Sequence, residues 1–397
     1  MKMKEKRLVL GLGALAALLS MVIVAPAAAS SWSVVPSPNP SAQNVLQAVA
    51  GVSASDLWAV GYELNTSNNQ FNLAEHWNGT SWTIVPTPSP GVTQCASLWQ
   101  NNLNGVAAVS TNDVWVVGFI CGAGQPGNNP FLTLTEHWDG SQWSVVTSPN
   151  PSNYSSLYGV AALSTNNVWA VGQNYGASEP ETLVEHWDGT SWSVIPSPNP
   201  SGRTAYLDAV AAVSPTNIWA VGYSGSCCPS PNLTPLIEHY DGNTWNIVSS
   251  PFNANSPFNQ LNAVMAVAAD NIWAVGYQNE DSKGQSGQAL IEHWNGAAWS
   301  LVNSPLPGAP TYLYGIAAES SKNVWAVGYT FNKAFDVLPV IEYWNGTSWK
   351  VEASPDPGTA AQLLGAAAVQ SQIWSVGAYS TEAGSYLNDS QTLTIEK

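Results

Sequence analysis

The chain has 397 residues, only 9% of them charged, and its 10 Lys and Arg stand against 26 Asp and Glu, for a formal net charge of −16. Such an acidic surface repels phosphate backbones and anionic lipid, which excludes nucleic acid and anionic membranes as partners. Twenty Trp, 32 Gly and 27 Pro in one chain favour short strands and frequent turns over helices.

The first element is a leader. Lys2, Lys4, Lys6 and Arg7 precede an apolar run from Leu8 to Ala25, and Ala27-Ala28-Ala29 supplies the small residues of a cleavage site. Residues 1–29 therefore read as a secretory signal peptide, and the rest as an extracellular protein. The run also just reaches the length that spans a bilayer, so an uncleaved anchor is the competing reading. Against an anchor, a strand begins at Ser31 or Trp32 and would press the folded domain flat on the lipid. Without the leader, six basic and 25 acidic residues remain, a net charge of −19.

After the leader comes SWSVVPSPNP (31–40), which matches a later segment, SWSVIPSPNP (191–200), at nine of ten positions. Then a unit recurs seven times round Trp58, Trp115, Trp169, Trp219, Trp273, Trp325 and Trp374, each with a Gly three residues on. The Trp are separated by 57, 54, 50, 54, 52 and 49 residues, a period that signals a repeat architecture. In the third copy the spacing predicts strands at 157–164, 167–175, 182–189 and 191–197. Asp188-Gly189 joins the last two, and Asn78-Gly79, Asp139-Gly140, Asp241-Gly242, Asn295-Gly296 and Asn345-Gly346 do the same elsewhere. Such dipeptides tolerate the positive φ of hairpin turns, so the pairing is antiparallel.

Four antiparallel strands repeated radially make the blade of a β-propeller. First strands such as Gly159-Val160-Ala161-Ala162 carry small residues, as crowding round an axis demands, and Trp fills the wedge where blades diverge. The last copy has strands at 363–369, 373–380 and 392–397 and lacks a fourth. Residues 31–36 supply it, which predicts an all-β, seven-bladed propeller occupying 30–397 as one domain closed by its own amino-terminal strand.

The pattern of a Gly ending the second strand, as in WAVGY (219–223), a polar loop, an IEHWNG-like third strand, a turn and a Trp opening the fourth resembles kelch-type propellers, including the central domain of galactose oxidase-like proteins. The resemblance spans essentially the whole chain after the leader and implies the fold. Propellers host many chemistries, so function must come from a site.

Four cysteines follow the leader. Cys95 and Cys121 flank the first two strands of the second blade on one face, a reasonable disulfide in an oxidising compartment. Cys227 and Cys228 are adjacent; a bond between them is strained, because neighbouring Cα atoms are ~3.8 Å apart, and a pair of free thiols is the alternative.

His76, His137, His186, His239 and His293 all sit in a Glu-His-aromatic triplet of the third strand. Equivalent positions lie one blade apart and cannot converge on one ion, so a Glu or His of each triplet is expected to make the same interblade hydrogen bond in every copy, with no metal site. No histidine is left for the copper chemistry of galactose oxidase-like enzymes, and no cofactor is expected. After the leader Arg203 is the sole arginine, which argues against sialidase-like or phosphatase-like clamping of anions.

The second position of each first strand carries Gln47, Asn104, Tyr158, Asp208, Asn262, Tyr314 and Leu364, which are expected to ring the mouth of the central channel. Such a ring suits a sugar or a peptide; solvated strand ends round a water-filled channel are the plain alternative. Trp99 alone among the Trp departs from the repeat, in an insertion (91–102) that Cys95 can pin. It is either an exposed binding face or a plug over the blade edge. Arg203, Tyr206, Tyr154 and Tyr175 come from the same face, whereas Glu179, Glu181, Glu280 and Asp281 are unassigned, solvated acids.

These observations point to a secreted, monomeric, non-enzymatic binding module for a neutral glycan or another surface protein. The alternative is an extracellular lyase or hydrolase working with carboxylates and Tyr, which requires two acids within about 5–10 Å of each other. A quinone-dependent dehydrogenase has only the Cys227-Cys228 pair in its favour.

Overall fold

A computed structural model describes residues 32–93, 101–122, 130–175, 179–226, 232–252, 257–279, 287–306, 310–334, 336–382 and 389–397. The leader, Cys95, Trp99, Cys227, Cys228, Glu280 and Asp281 lie outside the described residues. The chain forms seven four-stranded antiparallel sheets, the blades of a β-propeller. Six are built from consecutive strands, within 43–84, 101–146, 155–194, 204–248, 260–301 and 311–352. In the third blade the strands run Ser155–Ser164, Asn167–Tyr175, Pro180–Trp187 and Trp192–Val194, close to the spacing-based expectation.

The seventh blade takes Ala360–Val369, Gln372–Ser380 and Gln391–Glu396 and adds Ser33–Val34 as its outer strand. Ser33 pairs with Glu396 and Val34 with Ile395. The Val35 N–H donates to the Thr394 carbonyl at 2.9 Å. The SPNP segment explains its own recurrence: Asn39 Oδ1 accepts from the Thr392 N–H at 2.7 Å, as Asn150 accepts from Thr133 and Asn199 from Thr182, both at 2.8 Å. The early copy thus performs for the last blade what its counterparts perform locally, and gives that blade its fourth strand.

Between third and fourth strands the predicted hairpins form. Gly79, Gly140, Gly189, Gly242, Gly296 and Gly346 have φ between 90° and 97°, a region a side chain disfavours. The preceding Asp or Asn caps the turn; Asp188 Oδ1 accepts the backbone N–H of Thr190 at 2.8 Å and of Ser191 at 2.9 Å.

The core lies in the seams between blades. Each second-strand Trp meets aromatic residues of the next blade's outer strands: Trp58 lies 4.9 Å from Trp138 and 5.0 Å from Trp143, and Trp115 4.9 Å from Trp187 and 5.4 Å from Trp192. The series closes on itself, since Trp374 of the last blade packs on Trp77 and Trp82 of the first. In the sixth seam, Trp32 and the Lys397 ammonium cover Trp325, the ammonium 4.1 Å from the ring centroid. Trp58, Trp115 and Trp273 are 1–2% exposed, and burial of each such indole stabilises its seam by roughly 3 kcal/mol.

Candidate functional site

The Gly three residues after each Trp has a steric cause. A Cβ on Gly172 would lie 1.9 Å from the Ser156 carbonyl oxygen, and Gly61, Gly118, Gly222, Gly276, Gly328 and Gly377 face the same obstacle at 1.8–2.1 Å. Opposite each of these glycines the first strand bulges. Leu157 pairs with Gly172 and Gly159 with Val171, so Tyr158 is the extra residue, and the shift recurs in every blade. The bulged residues are Gln47, Asn104, Tyr158, Asp208, Asn262, Tyr314 and Leu364, and all seven line the central channel. A bulge bends the strand and re-aims one side chain. The preceding Leu is fully buried in each copy and the following residue is Ala or Gly, so only the bulged position varies in chemistry.

The small flanking residues are required by closeness: a Cβ on Gly159 would lie 2.8 Å from the Cα of Ala209 in the next blade, and one on Gly365 2.9 Å from Ala48. Two bulged residues also tie blades together. Asn104 Nδ2 donates to the Leu157 carbonyl and Asn262 Nδ2 to the Leu313 carbonyl, each at 2.7 Å. The channel holds about 220 Å³ of open space, ringed by amides, phenols and a single carboxyl group.

That group is Asp208. No described residue donates a hydrogen bond to it, and its Oδ2 is enclosed. Burial pushes its pKa up to about 7, so near neutrality it is divided between acid and carboxylate. Burial, and then the Asp208 charge, raise the pKa of the Tyr158 phenol; the same causes, in the same order, raise that of Tyr223. Tyr223 stacks on Tyr206 with ring centroids 4.6 Å apart, and Gln173 Nε2 donates to the Tyr158 hydroxyl at 2.8 Å.

Tyr223 belongs to a second ring that sequence reasoning missed. The residue after the bulge-facing Gly is Tyr62, Phe119, Gln173, Tyr223, Tyr277, Tyr329 or Ala378, so five of seven copies are aromatic. Tyr329 stacks with the channel residue Tyr314 at 5.6 Å and with Tyr312 at 5.2 Å, and Tyr312 meets Tyr277 at 5.1 Å. The signal was present as the fourth residue after each Trp. It was passed over because simple alternation does not tell which face that position takes beside a bulge.

The other expected site residues separate into two places. Tyr154 and Tyr175 pair at 5.6 Å beside Phe131, and Phe119, Phe131, Ser156, Tyr158 and Gln173 line a groove of about 290 Å³ that shares Tyr158 with the channel. Tyr175 is 47% exposed and presents a ring to solvent. Arg203 stands apart, as a structural clasp. Its Nη2 donates to the Ser224 and Asn232 carbonyls, both at 2.9 Å, and to Thr234 Oγ1 at 3.2 Å, which occupies the guanidinium within its own blade.

The Glu-His-aromatic triplets lie in the body of the blades, away from the channel. Each His bonds within its blade to the first residue of the second strand: His76 to Asp56 and His137 to Asp113 at 2.9 Å, His186 to Asn167 at 3.0 Å, and His239 to Asn217 and His293 to Asn271 at 2.9 Å. The interblade bond expected of Glu or His falls to Glu alone. Ser250 Oγ donates to Glu292 at 2.7 Å and Ser304 Oγ to Glu342 at 2.8 Å, each across a seam, and Asn72 and Thr87 donate to Glu136. Among the described residues no three His, Cys, Asp or Glu cluster as metal ligands do, and no helix is long and apolar enough to cross a membrane. Among the described residues Asp208 is the one carboxylate that lines the channel.

No family model and no curated protein matches the sequence. Solved structures do. The chain is similar to YCF48 bound to a D1 peptide, at 14% identity and a TM-score of 0.54 over 92% of this chain and 96% of that one. It is similar to an ulvan lyase of polysaccharide lyase family PL25 bound to -[GlcA(1-4)Rha3S]-, at 11% identity and a TM-score of 0.58 over 91% and 93%. The WD40 propeller domain of Doa1 matches at 12% identity and a TM-score of 0.53 over 92% and 97%. Identities this low speak to fold alone. Sequence period, sheet order and structural likeness agree: the chain is a seven-bladed β-propeller.

Proposed function

We propose that this propeller is a secreted, non-enzymatic binding module that takes a neutral glycan at its channel mouth. The observation that carries the reading is the composition of the bulged ring: two Tyr, two Asn and a Gln with one acid and no cation. Amides and phenols match sugar hydroxyls, and tyrosine rings offer flat faces to pyranose C–H groups. The surrounding aromatic collar and the groove by Tyr154 and Tyr175 extend this surface outward. A polyanion such as the sulfated uronate polymer held by the ulvan lyase does not suit an Arg-poor acidic chain. The kelch-type likeness and the Cys95–Cys121 bridge belong to the same proposal, and peptide mapping without reduction tests the bridge.

The lyase or hydrolase alternative keeps one supporting observation, the pKa of Asp208 raised to about 7 by burial, the range of a general acid. A glycan array read with the chain lacking its leader separates the readings. Retention of neutral polysaccharides without cleavage, weakened at least tenfold by Tyr314→Ala or Tyr158→Ala, is expected. Binding by neither parent nor variant to any neutral glycan, or release of shortened products, overturns it.

A further inference from the structure

The channel mouth contains an unmet electrostatic demand. Asp208 is the only charged side chain among the bulged residues, it receives no hydrogen bond from any described residue, and Oδ2 is enclosed. No Lys, Arg or His lines the channel with it. Tyrosines stand near it: Tyr158 lines the same space, burial and then the Asp208 charge raise the pKa of Tyr223, and Tyr206 is stacked on Tyr223. A buried carboxylate without a partner is costly, and aromatic rings attract cations through their negative faces. The arrangement is complementary to a small ammonium group, which answers the carboxylate and lies against the rings together.

A hydrated metal ion fits less well, because one carboxylate gives a divalent cation too few oxygen ligands. A guanidinium calls for a planar bidentate partner, whereas the enclosure of Oδ2 leaves this carboxylate presenting chiefly one oxygen. An ammonium accepts a single point of contact.

We infer that the channel mouth selects a glycan carrying a free primary ammonium, an amino-sugar unit seated against Asp208 among Tyr158, Tyr206 and Tyr223. The inference rests on the glycan reading above and adds a cationic substituent to it. Glucosamine units supply the ammonium on a ring whose hydroxyls suit the polar groups that line the same channel. The overall acidity of the chain, a net −16 including the leader, favours approach of such a ligand.

Calorimetric titration of the purified chain with a glucosamine hexamer and with the N-acetylglucosamine hexamer tests the inference, in parallel with Asp208→Asn, which keeps the side-chain volume. The parent is expected to favour the free amine about tenfold. Asp208→Asn should erase that preference and, with no carboxyl left to ionise, should melt no lower than the parent at pH 7. Equal binding of both hexamers by the parent overturns the ammonium inference and leaves the glycan reading standing. Binding of neither overturns both for this sugar class. Asp208-dependent binding of a lysine hexapeptide with no hexamer bound assigns the site to a protein partner instead and refutes the amino-sugar assignment.

Discussion

Replacing Glu75 by Gln should stabilise this protein at neutral and alkaline pH and do little at pH 4.5. Glu75 is fully buried, neither carboxyl oxygen has a hydrogen-bond partner, and burial alone raises its pKa from 4.5 to about 8. A folded-state pKa raised above the unfolded value means that the native chain holds a proton the unfolded chain releases. The group's contribution is therefore complete below pH 4.5 and is lost as pH climbs through 8. Each unit is worth about 1.36 kcal/mol, so between pH 4.5 and 7 the parent loses of order 3 kcal/mol that a non-ionising Gln of the same shape retains. Five further seam glutamates behave alike: Glu136, Glu185 and Glu238 at about 8, and Glu292 and Glu342 at about 7. Urea denaturation of parent and Glu75→Gln at pH 4.5, 6, 7 and 8 reads the effect as a difference that widens with pH. Glu292→Gln is the internal comparison: Ser250 donates to that carboxyl and holds its pKa nearer the ordinary value, so its gain at pH 8 should be the smaller of the two. An offset between Glu75→Gln and parent that is the same at every pH would refute the account of buried, protonated seam acids.

Gly172→Ala drives a methyl into the Ser156 carbonyl, so it should cost roughly 3 kcal/mol and weaken channel binding by displacing Tyr158; unchanged urea midpoint and affinity would contradict the bulge argument. Trp32→Ala empties the sixth seam where Trp32 meets Trp325, with an expected loss of about 3–5 kcal/mol. Hydrogen exchange should quicken first in Gln391–Glu396, the partner of the closing strand, and uniform quickening round the ring would count against closure as the weakest joint.

Blade count and ring closure were legible because they depend on local patterns that repeat: a Trp with its Gly, a turn dipeptide, and an SPNP copy moved to the far end of the chain. The ring of Gln47 to Leu364 was legible for the same reason, since seven aligned positions reveal which column varies. The bulge that aims those residues was not, because it shows only as one unpaired residue between Leu157 and Gly159 once the strands are in register. Arg203 was grouped with ligand-binding loop residues, yet its partners Ser224 and Asn232 lie 21 and 29 residues away, beyond local pattern. The Glu and His of one triplet looked interchangeable, and only the geometry separates a seam bond for Glu from an in-blade bond for His.

The division of labour within the repeat bears directly on where a ligand is read. The Leu before each bulge is held fully buried in all seven copies, the Gly opposite by the clash of any Cβ with a carbonyl, and the Ala or Gly after it by the neighbouring blade's backbone. The first two positions repeat in every copy, and the third admits only Ala or Gly. The bulged residue between them lines the channel, and there the copies read Gln, Asn, Tyr, Asp, Asn, Tyr and Leu. Freedom from packing permits such variety but does not call for an enclosed acid, which costs stability wherever it lacks a partner. Six copies avoid that cost, and the fourth bears it at Asp208, amid three tyrosines. An acid whose Oδ2 is enclosed and has no partner among the described residues, at the one column the repeat leaves variable, is the observation on which the proposed ammonium ligand rests.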